Sequence, residues 1–242
     1  MGCFNFLEIK GGKRGDYSYI FILGRSFIAL CSITFGLSGL AGNYDKLSQS
    51  QKAELNRGKQ VGVFTDVAGS AWQQSMIYQM IKSTPEEAAA VFFDFERHPE
   101  YFPDLVSAQI ARKIDKKTME VNYQMEIPTI MFFPSFTENY TVRDVLSKEA
   151  DGAYKVSWTM IRADSASRME GEIVFEQVGS QTLMSYRTLV VPNRTGSGLV
   201  AGKVPGKAKA AGSAIVNRIE ATRTSGTGLM AEELSALREA LN

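Results

Sequence analysis

From Met119 to Val191 the chain repeats one pattern that leaves little freedom of fold. Met119, Val121, Tyr123, Met125 and Ile127 alternate with Glu120, Asn122, Gln124 and Glu126. A period of two, dry on one side and wet on the other, marks a half-buried antiparallel strand. Residues 135–146 read as a second strand. Tyr154, Val156, Trp158 and Met160 alternate on a third, Met169, Gly171, Ile173 and Phe175 on a fourth, and residues 182–191 form a fifth. Asp151-Gly152 and Gly179-Ser180 supply turns between them. The dry face of such a sheet must be covered. The one long element that follows is a helix over 207–222, KAKAAGSAIVNRIEAT, with Ala208, Ala211, Ile215 and Ile219 as its apolar stripe. A sheet that curves around so slender a helix leaves space between the two.

Upstream, residues 61–67 and 75–82 read as strands. Ser83-Thr84-Pro85-Glu86-Glu87 then starts a helix: a hydroxyl for the cap, proline in the first turn, and carboxylates at the positive end of the dipole. Val91, Phe92 and Phe95 form one apolar face of that helix. Asp94 and His98, four apart, fit an i, i+4 pair of structural purpose. Pro99 and Pro103 restrict the residues before them, so a kink and a second short helical turn are predicted. A basic strand over 107–114 follows. The order predicts an α+β fold: an antiparallel sheet with two short helices after the first strand and one long helix at the C-terminal end. Residues 43–60 form a short helical lead-in capped by Ser48 or Ser50. Residues 61–223 form the main domain, and 224–242 a tail with an amphipathic helix over 230–241.

Composition narrows the chemistry. Twenty-seven basic residues face 26 acidic ones, a net charge of +1, which gives nucleic acid no field to follow. The two cysteines, Cys3 and Cys31, both precede residue 42, so no disulfide framework or cysteine-held metal belongs to the main domain. His98 is the only histidine, which puts Cys/His zinc sites and nucleophile–histidine catalysis with a second histidine out of reach. No metal or cofactor is expected, and the chain reads as a monomer. Residues 27–41, FIALCSITFGLSGLA, carry no charge, follow Arg25 and end on the small residues of Gly39-Leu40-Ala41. That layout is a secretory signal within residues 1–42 and predicts a periplasmic or extracellular protein. The alternative is retention of residues 17–40 as a membrane anchor, with Arg25 as its expensive member.

The stretch STPEEAAAVFFDFERHPEYFPDL after a strand, followed by a basic strand, resembles the START-like (SRPBCC) superfamily, and more closely its coenzyme-Q-binding and polyketide cyclase/dehydrase branch. Asp94, Pro99, Tyr101, Phe102, Pro103 and Val106 carry the likeness, which spans about residues 47–222. The resemblance implies the helix-grip fold and an activity of holding a lipid, quinone, sterol or polyketide between sheet and helix. The ring-rich segment 92–105 would then wall the cavity entrance. The loop 192–206 departs from the family pattern in being longer and more basic.

The side chains expected to reach such a ligand are Phe95, Tyr101, Phe102, Met125, Phe136, Tyr140, Trp158, Phe175, Met184, Ile215 and Ile219, because Met and aromatic groups suit an adaptable apolar pocket. Polar candidates for orienting it are Tyr123, Asn139, Arg143, Arg162, Tyr186 and Arg187. Their facing depends on a register in which a slip of one residue reverses every side chain. Glu170 and Glu172 alternate with apolar neighbours and are expected to face water. Three function classes follow. The leading one is a non-catalytic binder or carrier of an apolar molecule, with Lys203, Lys207 and Lys209 meeting anionic headgroups for brief membrane contact. A cyclase/dehydrase-type enzyme would need an inward acid or base from Tyr123, Arg162 or Tyr186. An interaction module would dock a partner on the C-terminal helix.

Overall fold

A computed structural model describes residues 42–127, 129 and 134–242. The predicted leader, its alternative as an anchor, and most of the connection 128–134 lie outside these residues. Eight strands form one antiparallel sheet: β1 (Val61–Thr65), β2 (Gln74–Ile81), β3 (Leu105–Lys113), β4 (Thr118–Ile127), β5 (Phe136–Lys148), β6 (Tyr154–Ala163), β7 (Ala166–Val178) and β8 (Gln181–Pro192). Their order across the sheet is β1-β2-β8-β7-β6-β5-β4-β3. From β3 to β8 every chain neighbour is a sheet neighbour, as the succession of hairpin turns requires. Among the described residues four α-helices accompany the sheet: α1 (Gln49–Asn56), α2 (Pro85–Phe93), α3 (Val204–Thr224) and α4 (Leu229–Leu241). The sheet curves around the long α3, the helix-grip arrangement. No helix among the described residues is long and apolar enough to cross a membrane.

Local chemistry sets the helix ends. Ser48 caps α1 and Thr84 caps α2. In each, the glutamine or glutamate three residues on returns a side-chain hydrogen bond to the cap backbone, completing a capping box. Helix α2 stops at Phe93, and residues Phe95–Glu100 continue as a 3-10 turn. This change of helix type corrects the expected Asp94–His98 pair. Asp94 instead accepts from Arg97 Nε at 3.1 Å, while His98 turns inward.

Helix α2 is also more deeply set than its predicted single apolar face implies. Ala88 through Phe93 are all buried, and a helix apolar all round must be covered on every side. The sheet and α3 cover one side, and α4 covers the other. Leu237 and Ala240 of α4 are buried in the same core, with Met230, Leu234 and Leu241 packed against it. Arg238 adds a two-pronged bond to Glu86 at 2.9 Å. The C-terminal helix thus spends its apolar stripe on α2, which corrects the reading of it as a free docking surface. On the outer face of the sheet, Leu47 and Leu55 of the lead-in bury Leu183. Lead-in, sheet and tail belong to one compact unit.

Candidate functional site

Between α3 and the concave face of the sheet lies a cavity of about 430 Å³. Its position follows from side-chain size along α3. Ala208 and Ala211 face the sheet near the start of the helix and line the hollow. One turn after Ala208 the gap closes: a Cβ on Gly212 would sit 2.9 Å from Ile77 Cγ2. Beyond that contact Ile215, Val216 and Ile219 are buried in solid core with Phe175 and Met184. Each such side chain contributes on the order of 1.5–3 kcal/mol of burial.

The cavity floor is one row across the sheet. Ser75 of β2 pairs with Thr188 of β8, Thr188 with Gly171 of β7, Gly171 with Trp158 of β6, and Trp158 with Asp144 of β5. Above this row the walls are rings. Tyr123 and Tyr140 stack at 5.2 Å between centroids, and Trp158 lies 5.7 Å from Tyr186 and 6.4 Å from Phe92. The segment 92–102 supplies Phe92, His98 and Phe102 to the lining. Its rings gather around His98, whose centroid is 5.0 Å from both Phe92 and Phe102 and 5.5 Å from Tyr101.

Among the described residues His98 has no charged partner, and burial holds its ring down to about 4, so it is neutral at ordinary pH. Nε2 is 2.9 Å from the Phe92 carbonyl, which can only accept, so that nitrogen carries the proton. Nδ1 is therefore the acceptor, and the Tyr123 hydroxyl, 3.2 Å away, donates to it. The histidine thereby satisfies a carbonyl in the last turn of α2 and ties that helix to β4. Tyr123→Phe strands Nδ1 in an apolar nest and is expected to cost about 1–2 kcal/mol in urea unfolding; an unchanged midpoint would show that the bond contributes nothing.

The mouth is polar and basic. Arg194 lies 3.9 Å over the Phe136 ring. Trp72 Nε1 donates to the Ser197 carbonyl at 2.8 Å, and Lys207 of α3 pairs with Asp104 at the entry to β3. Asp104 has a φ of 67°, a left-handed conformation that aspartate tolerates better than most residues. Lys209 points elsewhere, over Phe64 of β1 at 5.8 Å, so of the three expected lysines Lys203 and Lys207 line the opening.

Of the expected ligand contacts, the structure brings Phe102, Tyr123, Met125, Phe136, Tyr140, Trp158 and Tyr186 together on the cavity wall. Phe95, Phe175, Met184, Ile215 and Ile219 stand in the packed core instead, for the reason Gly212 provides. Tyr101 packs behind the wall with its ring 5.8 Å from the Arg218 guanidinium. Arg162 is exposed on the outer face, donating to Thr141 at 2.9 Å. Asn139, Arg143 and Arg187 also face outward, the latter two paired with Glu120 and Glu172. Two inward carboxyls were not singled out beforehand. Glu138 is held by the Ser165 amide at 3.0 Å and by the Ser165 hydroxyl. Asp144 is 4% exposed, and among the described residues nothing donates to it. Burial pushes its carboxyl up to about 8 and the Tyr186 hydroxyl up to about 12.

No protein-family model matches the chain, and no curated protein matches it in sequence. Solved structures do match. A STAR-related lipid transfer protein from Xanthomonas axonopodis superposes with a TM-score of 0.59 at 14% identity, over 66% of this chain and 93% of its own. Human STARD10 gives 0.59 at 9% identity, over 84% of this chain and 89% of its own. Human StAR-related lipid transfer protein 5 gives 0.56 at 7%, over 68% and 83%. The fold is START-like.

Proposed function

We propose that the chain binds an apolar small molecule, a lipid, quinone or similar, in the hollow between sheet and α3, and carries it without transforming it. The observation that carries this reading is the ring-lined cavity of about 430 Å³, within the roughly 300–1,000 Å³ typical of small-molecule sites. Proteins of the same fold that are described as lipid transfer proteins support it. Entry runs between the loop 192–206 and the corner at Phe102–Leu105, where Lys203 and Arg194 offer charge to anionic headgroups at a membrane surface. Export, or anchorage by the leader, would place the carrier where lipids must cross water. The cyclase-type alternative loses one of its three candidate groups, since Arg162 faces outward; Tyr123 is engaged with His98.

Both tryptophans of the chain, Trp72 and Trp158, line the hollow. A short-chain ubiquinone that enters it should therefore quench most of the intrinsic emission and do so saturably. Ala211→Phe places a ring in the hollow from α3 and is expected to weaken this binding by about tenfold or more, about 1.4 kcal/mol, with thermal unfolding little changed. Emission indifferent to the quinone, together with no hydrophobe extractable from the purified protein, would overturn the reading.

A further inference from the structure

The floor of the hollow is chemically unlike its walls. Asp144 Oδ2 and Ser75 Oγ are both buried, and among the described residues neither has a hydrogen-bond partner. They lie on the same cross-sheet row, at its β5 and β2 ends, with Thr188, Gly171 and Trp158 between them. Buried oxygens left without partners are costly, and native chains rarely keep them without a use. Both residues line the cavity, so a molecule that fills it reaches them.

The basic side chains of the lining also keep to one end: Arg194, Lys203 and Lys207 stand at the mouth, on the β8–α3 loop and the first turn of α3. Its other inward carboxyl, Glu138, lies six residues from Asp144 along the same strand, three steps of the alternation. An anionic end resting on the floor would meet a carboxyl with no cation to offset it. A group that donates a hydrogen bond would satisfy Asp144 instead.

We infer that Asp144 forms a subsite for a phosphate-free, hydrogen-bond-donating polar end, a hydroxyl or an amine, of an apolar molecule that enters polar end first. The inference rests on the carrier reading above and specifies what it carries. The tail then lies along the aromatic walls toward Phe136 and Val200 at the mouth. Burial keeps the proton on Asp144 near neutrality while the hollow is empty, so the discrimination against an anionic end is read above about pH 8, where the carboxyl is ionised.

The test uses the full chain and N-phenyl-1-naphthylamine, an uncharged apolar reporter. Dodecan-1-ol, dodecylamine and dodecanoate, equal in length, compete for the reporter against the wild type and Asp144→Leu. The preference for alcohol or amine over dodecanoate is expected to be about tenfold larger in the wild type than in the variant, about 1.4 kcal/mol. Taking the ratio between the two proteins removes the different water solubilities of the probes. The stronger of alcohol and amine tells which donor the site takes. Equal preference in the two proteins, with the reporter bound by both, overturns the subsite and leaves the carrier reading standing. Failure of the reporter and all three competitors to bind the folded wild type overturns the carrier reading itself. Should Asp144→Leu not fold, Asp144→Asn is expected to lower the preference in the same direction, and no change there refutes the assignment.

Discussion

Ligand-free protein should lose stability steadily as pH rises from about 4 toward 8, and Asp144→Asn should remove most of that loss. The sign follows from where the proton sits. In the unfolded chain Asp144 ionises near 3.8, whereas burial without a compensating partner pushes it up to about 8 in the fold. Between those values the folded state holds a proton that the unfolded state has released. Stability present at low pH is therefore lost as pH climbs through the folded value. At about 1.4 kcal/mol per unit the loss is bounded by about 6 kcal/mol, and structural relaxation around the carboxylate reduces it. Glu233 of α4, raised to about 7 by burial, acts in the same direction. His98, lowered to about 4 by burial, opposes both, because its neutral ring favours the fold as pH rises from 4 to 6.5. The net curve mixes all three, so the decisive quantity is the difference between wild type and Asp144→Asn in urea midpoints at pH 5, 7 and 9. That difference should grow with pH in favour of the variant. A constant difference would mean that the Asp144 carboxyl ionises in the fold much as it does in water.

The same residue shows where sequence reasoning stopped short. Strand β5 was legible as a strand, and Phe136 and Tyr140 were expected to face inward. Their parity carries Glu138, Val142 and Asp144 inward with them. The polar candidates chosen from that strand, Asn139 and Arg143, have the opposite parity and face water. The signal was present, but acidic residues on a dry face contradict the usual burial rule, and a functional cavity is where that rule yields. The alternation of β4 and the capping box at Thr84 were legible because they depend on neighbours in sequence. The place where the hollow ends was not. It depends on Gly212 meeting Ile77, residues brought together only by the wrap of the sheet, and that contact moves Ile215 and Ile219 from cavity to core. The role of α4 was hidden for a related reason. An amphipathic tail looks free until α2, apolar all round, is seen to need a second cover.

Gly171→Ala is expected to lower stability by about 3 kcal/mol or more and to close the cavity floor at the same time. Gly171 is the middle of the floor row, and the Trp158 ring lies directly across it. An added Cβ would fall 2.2 Å from Trp158 Cζ2 and 2.4 Å from the Arg187 carbonyl oxygen. The ring can swing away, but the carbonyl belongs to the paired backbone of β8 and cannot. Overpacking of this kind costs typically about 1–3 kcal/mol where side chains can give, and a ladder that must shift places this site at or above the top of that range. The ring has one roomy direction to move, into the hollow, so the surviving folded protein should also bind the quinone poorly. Gly212→Ala provides the contrast. Its Cβ would lie 2.9 Å from Ile77 Cγ2 and 3.1 Å from Gln60 Nε2, both side-chain atoms that can adjust. Alanine also gains roughly 0.5–1 kcal/mol over glycine inside a helix, so the two terms largely cancel. Urea unfolding of the pair, read beside tryptophan quenching, separates a glycine that makes room for the floor from one that merely eases a helix against its sheet. Equal midpoints for the two variants would show that Trp158 does not need the bare backbone of Gly171 beneath it.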